Sequence, residues 1–90
     1  MFRLVFTEHY KRKEISFLKR HPELKQHYAK TLVLLEANPS HSSLRLHALQ
    51  GKHEGLHSVS FNLSYRMTLE LLIQDGKIIL VNVGSHDAVY

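Results

Sequence analysis

The sequence predicts an α+β fold in the order β-α-α-β-β-β, with a helical hairpin packed on one face of a small, mainly antiparallel sheet. Three observations support this prediction. Apolar residues recur at helical spacing through residues 8–38, alternate with polar residues through residues 58–71, and form a short apolar segment near each end. The chain has 90 residues, of which 43% are hydrophobic, and only four are Gly and two Pro, so one domain spanning residues 1–90 is expected.

The first strand and the two helices occupy the first half of the chain. Phe2–Phe6 is short and apolar, as a strand should be, and Thr7 can cap a helix. Pro22 is expected to end that helix and start the second, which should stop at Asn38-Pro39. The residues expected on the apolar faces of the two helices are Tyr10, Ile15, Phe17 and Leu18 in the first, and Leu24, Tyr28, Leu32 and Leu35 in the second.

The remaining strands follow a long connection. Residues 38–55 show no sustained period and predict a surface loop, a kind of segment that often has a function. Strict alternation from Val59 onward predicts sheet, with the even-numbered residues, Arg66 among them, on a concave or open polar face. Gln74-Asp75-Gly76 predicts a hairpin turn, and the apolar segment from Lys77 to Val83 predicts a central strand.

Composition and charge restrict the function classes. The absence of Cys excludes disulfides and thiolate metal sites, and no apolar run is long enough for a signal peptide or a membrane span. A soluble cytoplasmic protein without membrane partners is therefore expected. Residues 1–30 hold eight Lys and Arg against three Asp and Glu, within a net charge of +4. Such a basic half suits nucleic acid or an acidic protein, and it is equally compatible with a solvated helix face.

One metal motif occurs in an unsuitable context. His53-Glu54-Gly55-Leu56-His57 matches the H-E-x-x-H pattern, which needs both His on one helix face. Here the segment follows Gly51, contains Gly55 and leads into a strand, where residues four apart are separated by about 13 Å. Neither a metal site nor a cofactor is therefore expected.

Five residues could converge on one catalytic face: His47, Lys52, Arg66, His86 and Tyr90. A neutral His can remove a proton from a ribose 2′-hydroxyl, cationic side chains can neutralise the charge on the phosphate, and a second His or a Tyr can protonate the leaving oxygen. Tyr can also stack on a base. Several of these residues also have a structural alternative: Arg66 could pair with Glu70, and Tyr90 could be a hydrophobic plug. Lys52 could simply keep its turn soluble, and His47 could be a solvated loop residue.

Three segments together resemble the RelE/ParE toxin superfamily of bacterial toxin–antitoxin modules, closest to its RelE/StbE and YafQ-like branch. They are Leu46–Ser58, Ser64–Met67 and Val83–Tyr90, and they contain an L-x-G-x-x-x-G turn, an aromatic-Arg pair and a G-[ST]-H-x-x-x-[YF] ending. The resemblance covers essentially the whole chain. It implies a RelE-like fold, a cognate antitoxin that can form a hetero-oligomer with the toxin, and ribosome-dependent cleavage of messenger RNA in the decoding site.

The resemblance also assigns residues by position. His47 matches a general base or substrate-positioning residue, Arg66 matches a phosphate ligand, and His86 and Tyr90 match the C-terminal acid or base and its neighbouring aromatic. The division of acid and base roles between His47 and His86 stays open. Lys52, Ser64 and Tyr65 are expected to contact substrate, although Ser60 and Ser64 replace a His and an Asp of YafQ-like toxins.

Two other functions remain open for the same fold. A ParE-like toxin would inhibit DNA gyrase without cutting RNA, and an inactive relative would only bind an antitoxin. Fold alone does not decide between these functions. The C-terminal His86 and Tyr90, at their four-residue spacing, argue against the gyrase inhibitor.

Overall fold

A helical hairpin packs on a five-stranded sheet in the part of the chain that the structure describes, residues 1–62, 64–72, 74–85 and 89. This computed structural model confirms the predicted α+β class. The helices are α1 (Glu8–Arg20) and α2 (Lys25–Ala37), and the strands are β1 (Arg3–Phe6), β2 (His47–Ala48), β3 (His57–Ser60), β4 (Tyr65–Leu72) and β5 (Lys77–Ser85). None of the helices described is long and apolar enough to cross a membrane.

The sheet has the strand order β1-β5-β4-β3-β2. β1 runs parallel to β5, and the other neighbouring strands are antiparallel. β5 therefore has partners on both sides, as its apolar sequence predicts. β2 was not predicted, because two residues are too short to show a period. It forms within the expected loop by pairing His47 with Ser58 and Ala48 with His57.

Helix α1 begins where its capping residue predicts. The Thr7 hydroxyl accepts a hydrogen bond from the backbone N–H of Tyr10 at 3.1 Å, which satisfies one of the free donors of the first turn. Tyr10 and Phe17 face the core and are buried. The placement of Ile15 on the apolar face was wrong, since Ile15 is 68% exposed. It lies five residues after Tyr10, which is about 140° around the helix.

Helix α2 follows a short 3-10 turn, Pro22–Leu24, so Pro22 starts this turn and α2 itself begins at Lys25. Tyr28, Thr31 and Leu35 are buried at the spacing of one helix face. The helix ends at Ala37 with Asn38 as its cap, as the Asn-Pro pair predicts. The hairpin is therefore defined by local sequence at each of its ends.

A polar network crosses the interface between the two helices. The Tyr10 hydroxyl donates to the Tyr28 hydroxyl at 2.6 Å, and the Tyr28 hydroxyl donates to Glu14 Oε2 at 2.5 Å. Burial is the main reason that the pKa of both tyrosines is raised well above its ordinary value, and the nearby Glu14 raises it further. Both hydroxyls therefore stay protonated and available as donors at neutral pH.

The sheet face opposite the helices is more covered than its polar sequence predicts. Ser58 and Thr68 are 0% and 2% exposed, and Ser60 is buried too. Of the two predicted forms of this face, concave or open, the open form does not hold at its centre. Val89, near the C-terminus, is also buried but is not part of the core cluster that contains Tyr10 and Phe17.

Candidate functional site

The strand register places His47 and Arg66 on the same face of the sheet. His47 lies opposite Ser58, and Ser58 lies opposite Thr68. Side chains directly across antiparallel strands point to the same face, and residues two apart on one strand do so too, which adds Arg66 on β4. The Cα atoms of His47 and Arg66 are two strands and two residues apart, which corresponds to a distance of about 12 Å. Their side chains can therefore reach a common phosphodiester.

His47 is exposed and its imidazole is oriented by a local hydrogen bond. Nδ1 of His47 lies 3.0 Å from the backbone carbonyl oxygen of Arg45. A carbonyl oxygen can only accept, so Nδ1 is the donor and carries the proton. In the neutral ring Nε2 then holds the lone pair, which is the atom that a general base needs.

Arg66 is half-buried and is held by the turn between β3 and β4. Its Nη1 donates to the carbonyl oxygens of Asn62 at 2.9 Å and Tyr65 at 3.2 Å. Asn62 builds this turn, because its Oδ1 accepts from the backbone N–H groups of Ser64 at 2.8 Å and Tyr65 at 2.9 Å. The guanidinium group is thereby fixed relative to the sheet before any ligand arrives.

Strand β5 ends beside Arg66. In the register of β4 with β5, Arg66 lies opposite Gly84, and Tyr65 lies opposite Ser85, the last residue of β5. His86 and Tyr90 lie outside the described residues, so their assigned roles stay predictions. The segment that contains them nevertheless follows Ser85 directly, and Ser85 is one residue beyond Gly84, the partner of Arg66.

The predicted substrate residues occupy three different environments. Lys52 is exposed in a 3-10 turn, Gly51–His53, and Ser64 is exposed in the β3–β4 turn. Tyr65 follows the alternation to the helix side of the sheet, where its ring centroid lies 5.1 Å from that of Phe17. Its hydroxyl lies 3.4 Å from His21 Nε2. The structure therefore does not bring the Tyr65 ring together with His47 and Arg66.

A cleft of about 460 Å³ adjoins Arg66, and sequence reasoning missed it. It lies beside β3, past the two β3 residues that pair with β2. Its walls are α2, the segment before β2 and the β3–β4 turn. Its cationic lining residues other than Arg66 are Lys30 and Arg45, and His27 lies beside them. Lys30 belongs to the basic half noted in the sequence, but nothing in the sequence places it near Arg66.

The described residues offer little for a metal ion. No group of three or more His, Asp or Glu side chains among them is arranged to hold one. His53 lies in the 3-10 turn and His57 lies on β3, so this pair does not share a helix face as a zincin motif requires.

Comparison with known proteins identifies the architecture. No family model and no curated protein matches the sequence, whereas solved structures do match the fold. YafQ from E. coli superposes with a TM-score of 0.82 at 16% identity, covering 100% of this chain and 99% of that chain. The fold is that of the RelE/ParE toxins.

Two further solved structures extend this comparison. A metal-bound toxin from Helicobacter pylori has a TM-score of 0.81 at 18% identity and covers 100% of both chains. The E. coli DinJ-YafQ toxin–antitoxin complex has a TM-score of 0.73 at 21% identity, with 99% of this chain and 97% of that chain covered. The resemblance recognised in the sequence is thus confirmed as a RelE/ParE-like fold over nearly the whole length.

Proposed function

We propose that this protein is the toxin of a bacterial type II toxin–antitoxin module and cuts messenger RNA in the ribosomal decoding site. The main support is the shared sheet face of His47 and Arg66, at the point where the segment with His86 and Tyr90 begins. The net charge of +4 suits a polyanionic substrate. The toxin fold agrees with this proposal, although fold alone does not specify chemistry.

The reaction assigned to this face is an internal transesterification. Nε2 of His47 accepts the proton of a ribose 2′-hydroxyl, and the 2′-oxygen attacks the adjacent phosphorus. The bond from phosphorus to the 5′-oxygen of the next nucleotide breaks, and His86 or Tyr90 donates the proton that this oxygen takes up. The products are a 2′,3′-cyclic phosphate and a 5′-hydroxyl, so atoms and charge balance.

Arg66 supplies the electrostatic part of this mechanism. Negative charge grows on the non-bridging phosphate oxygens as the 2′-oxygen attacks, and a fixed guanidinium group stabilises that charge without reorganising. The contacts of Arg66 with the carbonyl oxygens of Asn62 and Tyr65 provide such fixation. Exposed Lys52 and Ser64 are assigned to the flanking RNA backbone, and Tyr65 to the support of β4.

The proposal includes a partner and a compartment. A cognate antitoxin would keep the toxin silent by covering its basic face or its C-terminal segment, and the E. coli YafQ of similar fold is known in complex with DinJ. Ribosomes and messenger RNA place the reaction in the cytoplasm. A single catalytic domain over residues 1–90 suffices for this role.

Expression of the chain in a bacterium tests the proposal. The wild type should arrest growth and create new messenger 5′ ends inside codons, whereas the His47→Gln and Arg66→Ala variants should do neither. His9→Gln is the matched control, because His9 is an exposed histidine of α1 on the other side of the sheet. Growth arrest without new ends would refute the endoribonuclease, and new ends with both variants would refute the assignment of His47 and Arg66 to its active site.

A further inference from the structure

The cleft beside Arg66 has an apolar floor and a basic rim. Leu44 and Phe61 are buried in it, at 2% and 3% exposure, whereas Lys30 and Arg45 are exposed. The lining includes three permanent cations, Lys30, Arg45 and Arg66, and no carboxylate. A site of this composition favours a ligand that is both anionic and partly apolar.

The two rim cations are not neutralised by the described part of the chain. Among the residues that the structure describes, neither Lys30 nor Arg45 forms an ion pair with a carboxylate. Their charges are therefore available to an anion, and Arg45 can bind a phosphate with two parallel N–H donors.

We infer that this cleft is a nucleotide-binding subsite. It holds the nucleotide next to the scissile phosphate, and the phosphate group of that nucleotide lies between Lys30 and Arg45. The assignment rests on the proposed function, since it extends the RNA strand from Arg66 into the cleft. A volume of about 460 Å³ suits one nucleotide, because small-molecule sites measure about 300–1,000 Å³.

Polar groups inside the cleft match the edges of a base. Asn62 uses its Oδ1 for the turn, so Nδ2 is the group that it can offer to a carbonyl oxygen or a ring nitrogen. The Ser60 hydroxyl also lines the cleft. RNA bases outside a helix are commonly recognised by such contacts on an apolar surface.

Arg45 links the cleft to the reaction site through its backbone. It has φ 52° and ψ 45°, a left-handed conformation that is uncommon for a residue other than Gly. This conformation exposes the side chain at the rim while the carbonyl oxygen of Arg45 accepts from His47 Nδ1. Strained backbone of this kind is concentrated at ligand sites and active sites. A phosphate held by Arg45 would therefore sit beside the base assigned to the reaction.

Titration of the isolated, isotope-labelled protein with adenosine 5′-monophosphate tests the subsite by amide NMR shifts. Saturable shifts are expected at Ser43–Arg45 and Ser60–Asn62, with weaker binding of inorganic phosphate or adenosine alone. Lys30→Ala should weaken binding about tenfold, since a charge-assisted hydrogen bond is lost. Arg45→Gly should weaken nucleotide binding by a similar factor, and Gly adopts the left-handed backbone conformation without strain.

The matched control is Lys25→Ala, which removes an exposed lysine of α2 outside the cleft and should leave the affinity unchanged. Absence of shifts in the cleft, or equal affinity of the Lys30→Ala and wild-type proteins, would overturn the subsite. So would shifts produced by a Leu- and Glu-rich peptide but not by the nucleotide, which would assign the cleft to a protein partner.

Failure of the subsite and failure of the proposed function give different results. If the wild type cuts messenger RNA but the nucleotide does not bind the cleft, only the subsite is wrong. If the nucleotide binds with the expected variant pattern but no cleavage occurs in cells, the subsite stands as a nucleotide site and the endoribonuclease is wrong.

Discussion

Arg66 donates from Nη1 to the backbone carbonyl oxygen of Asn62 at 2.9 Å, so the guanidinium group and the β3–β4 turn form one unit. The side chain of Asn62 fixes the same turn by accepting from two backbone N–H groups. A change in the turn should therefore move the group assigned to the scissile phosphate. This relationship makes the turn a test of function that is separate from the acid and base residues.

Asn62→Ala should greatly lower the rate of RNA cleavage and moderately lower the free energy of unfolding. Loss of the side-chain acceptor releases the turn, which should cost about 1–2 kcal/mol of unfolding free energy. Misplacement of Arg66 should lower the cleavage rate about 100-fold. The measurements are the rate of messenger cleavage and the midpoint of urea unfolding. Asn62→Asp keeps the acceptor and should retain wild-type stability; a loss of stability as large as that of Asn62→Ala would contradict this role.

His47→Gln should abolish most of the activity and leave the fold unchanged. General base catalysis contributes about 10²–10⁴-fold, and an exposed side chain contributes less than about 0.5 kcal/mol to stability. Single-turnover cleavage and thermal unfolding measure the two effects. A variant with full activity would show that His47 is not the base, and the role would pass to His86.

Tyr28→Phe should destabilise the protein by about 2 kcal/mol, because it deprives both Tyr10 and Glu14 of a buried hydrogen-bond partner. Tyr10→Phe is the matched control: it removes only the terminal donor of the network and should cost less. Equilibrium urea unfolding gives both values. A Tyr10→Phe variant that is the less stable of the two would contradict the donor order.

Alkaline pH should destabilise the folded state. Burial raises the pKa of Tyr10 and Tyr28 above the ordinary value of about 10, so above pH 10 the unfolded chain loses protons that the folded chain keeps. Stability is then fully present below pH 10 and falls above it by up to about 1.4 kcal/mol per pH unit for each tyrosine. Urea unfolding between pH 9 and 11 should show a shallower fall for the Tyr10→Phe/Tyr28→Phe variant; an unchanged slope would refute the assignment.

The helices and long strands were predictable because their signals are local. Thr7, Pro22 and Asn38-Pro39 define the helix ends through capping and through the missing N–H of proline, and Gly76 supplies the left-handed φ of 64° for the last turn. β2 was not predictable, because its two residues become a strand only through pairing with β3. Ile15 is exposed because it lies about 140° around the helix from Tyr10. Its apolar side chain alone does not show this.

The candidate site divides in the same way. Alternation along β4 predicted that Arg66 lies on the polar face of the sheet, and the register adds His47 from a segment without any period. The cleft needed the structure. Its rim depends on the left-handed backbone of Arg45 and on the approach of Lys30 across the fold, and neither leaves a pattern in the sequence.

Cleavage in a reconstituted translation system tests the central claim most directly. Purified protein is added to ribosomes programmed with a defined messenger, and the 5′ ends of the fragments are mapped with and without ribosomes. The proposal predicts cuts within the codon in the decoding site, only when ribosomes are present, and a 5′-hydroxyl on the downstream fragment. The Arg66→Ala variant should produce no cuts. An intact messenger, together with inhibition of DNA gyrase supercoiling by the same protein, would contradict it.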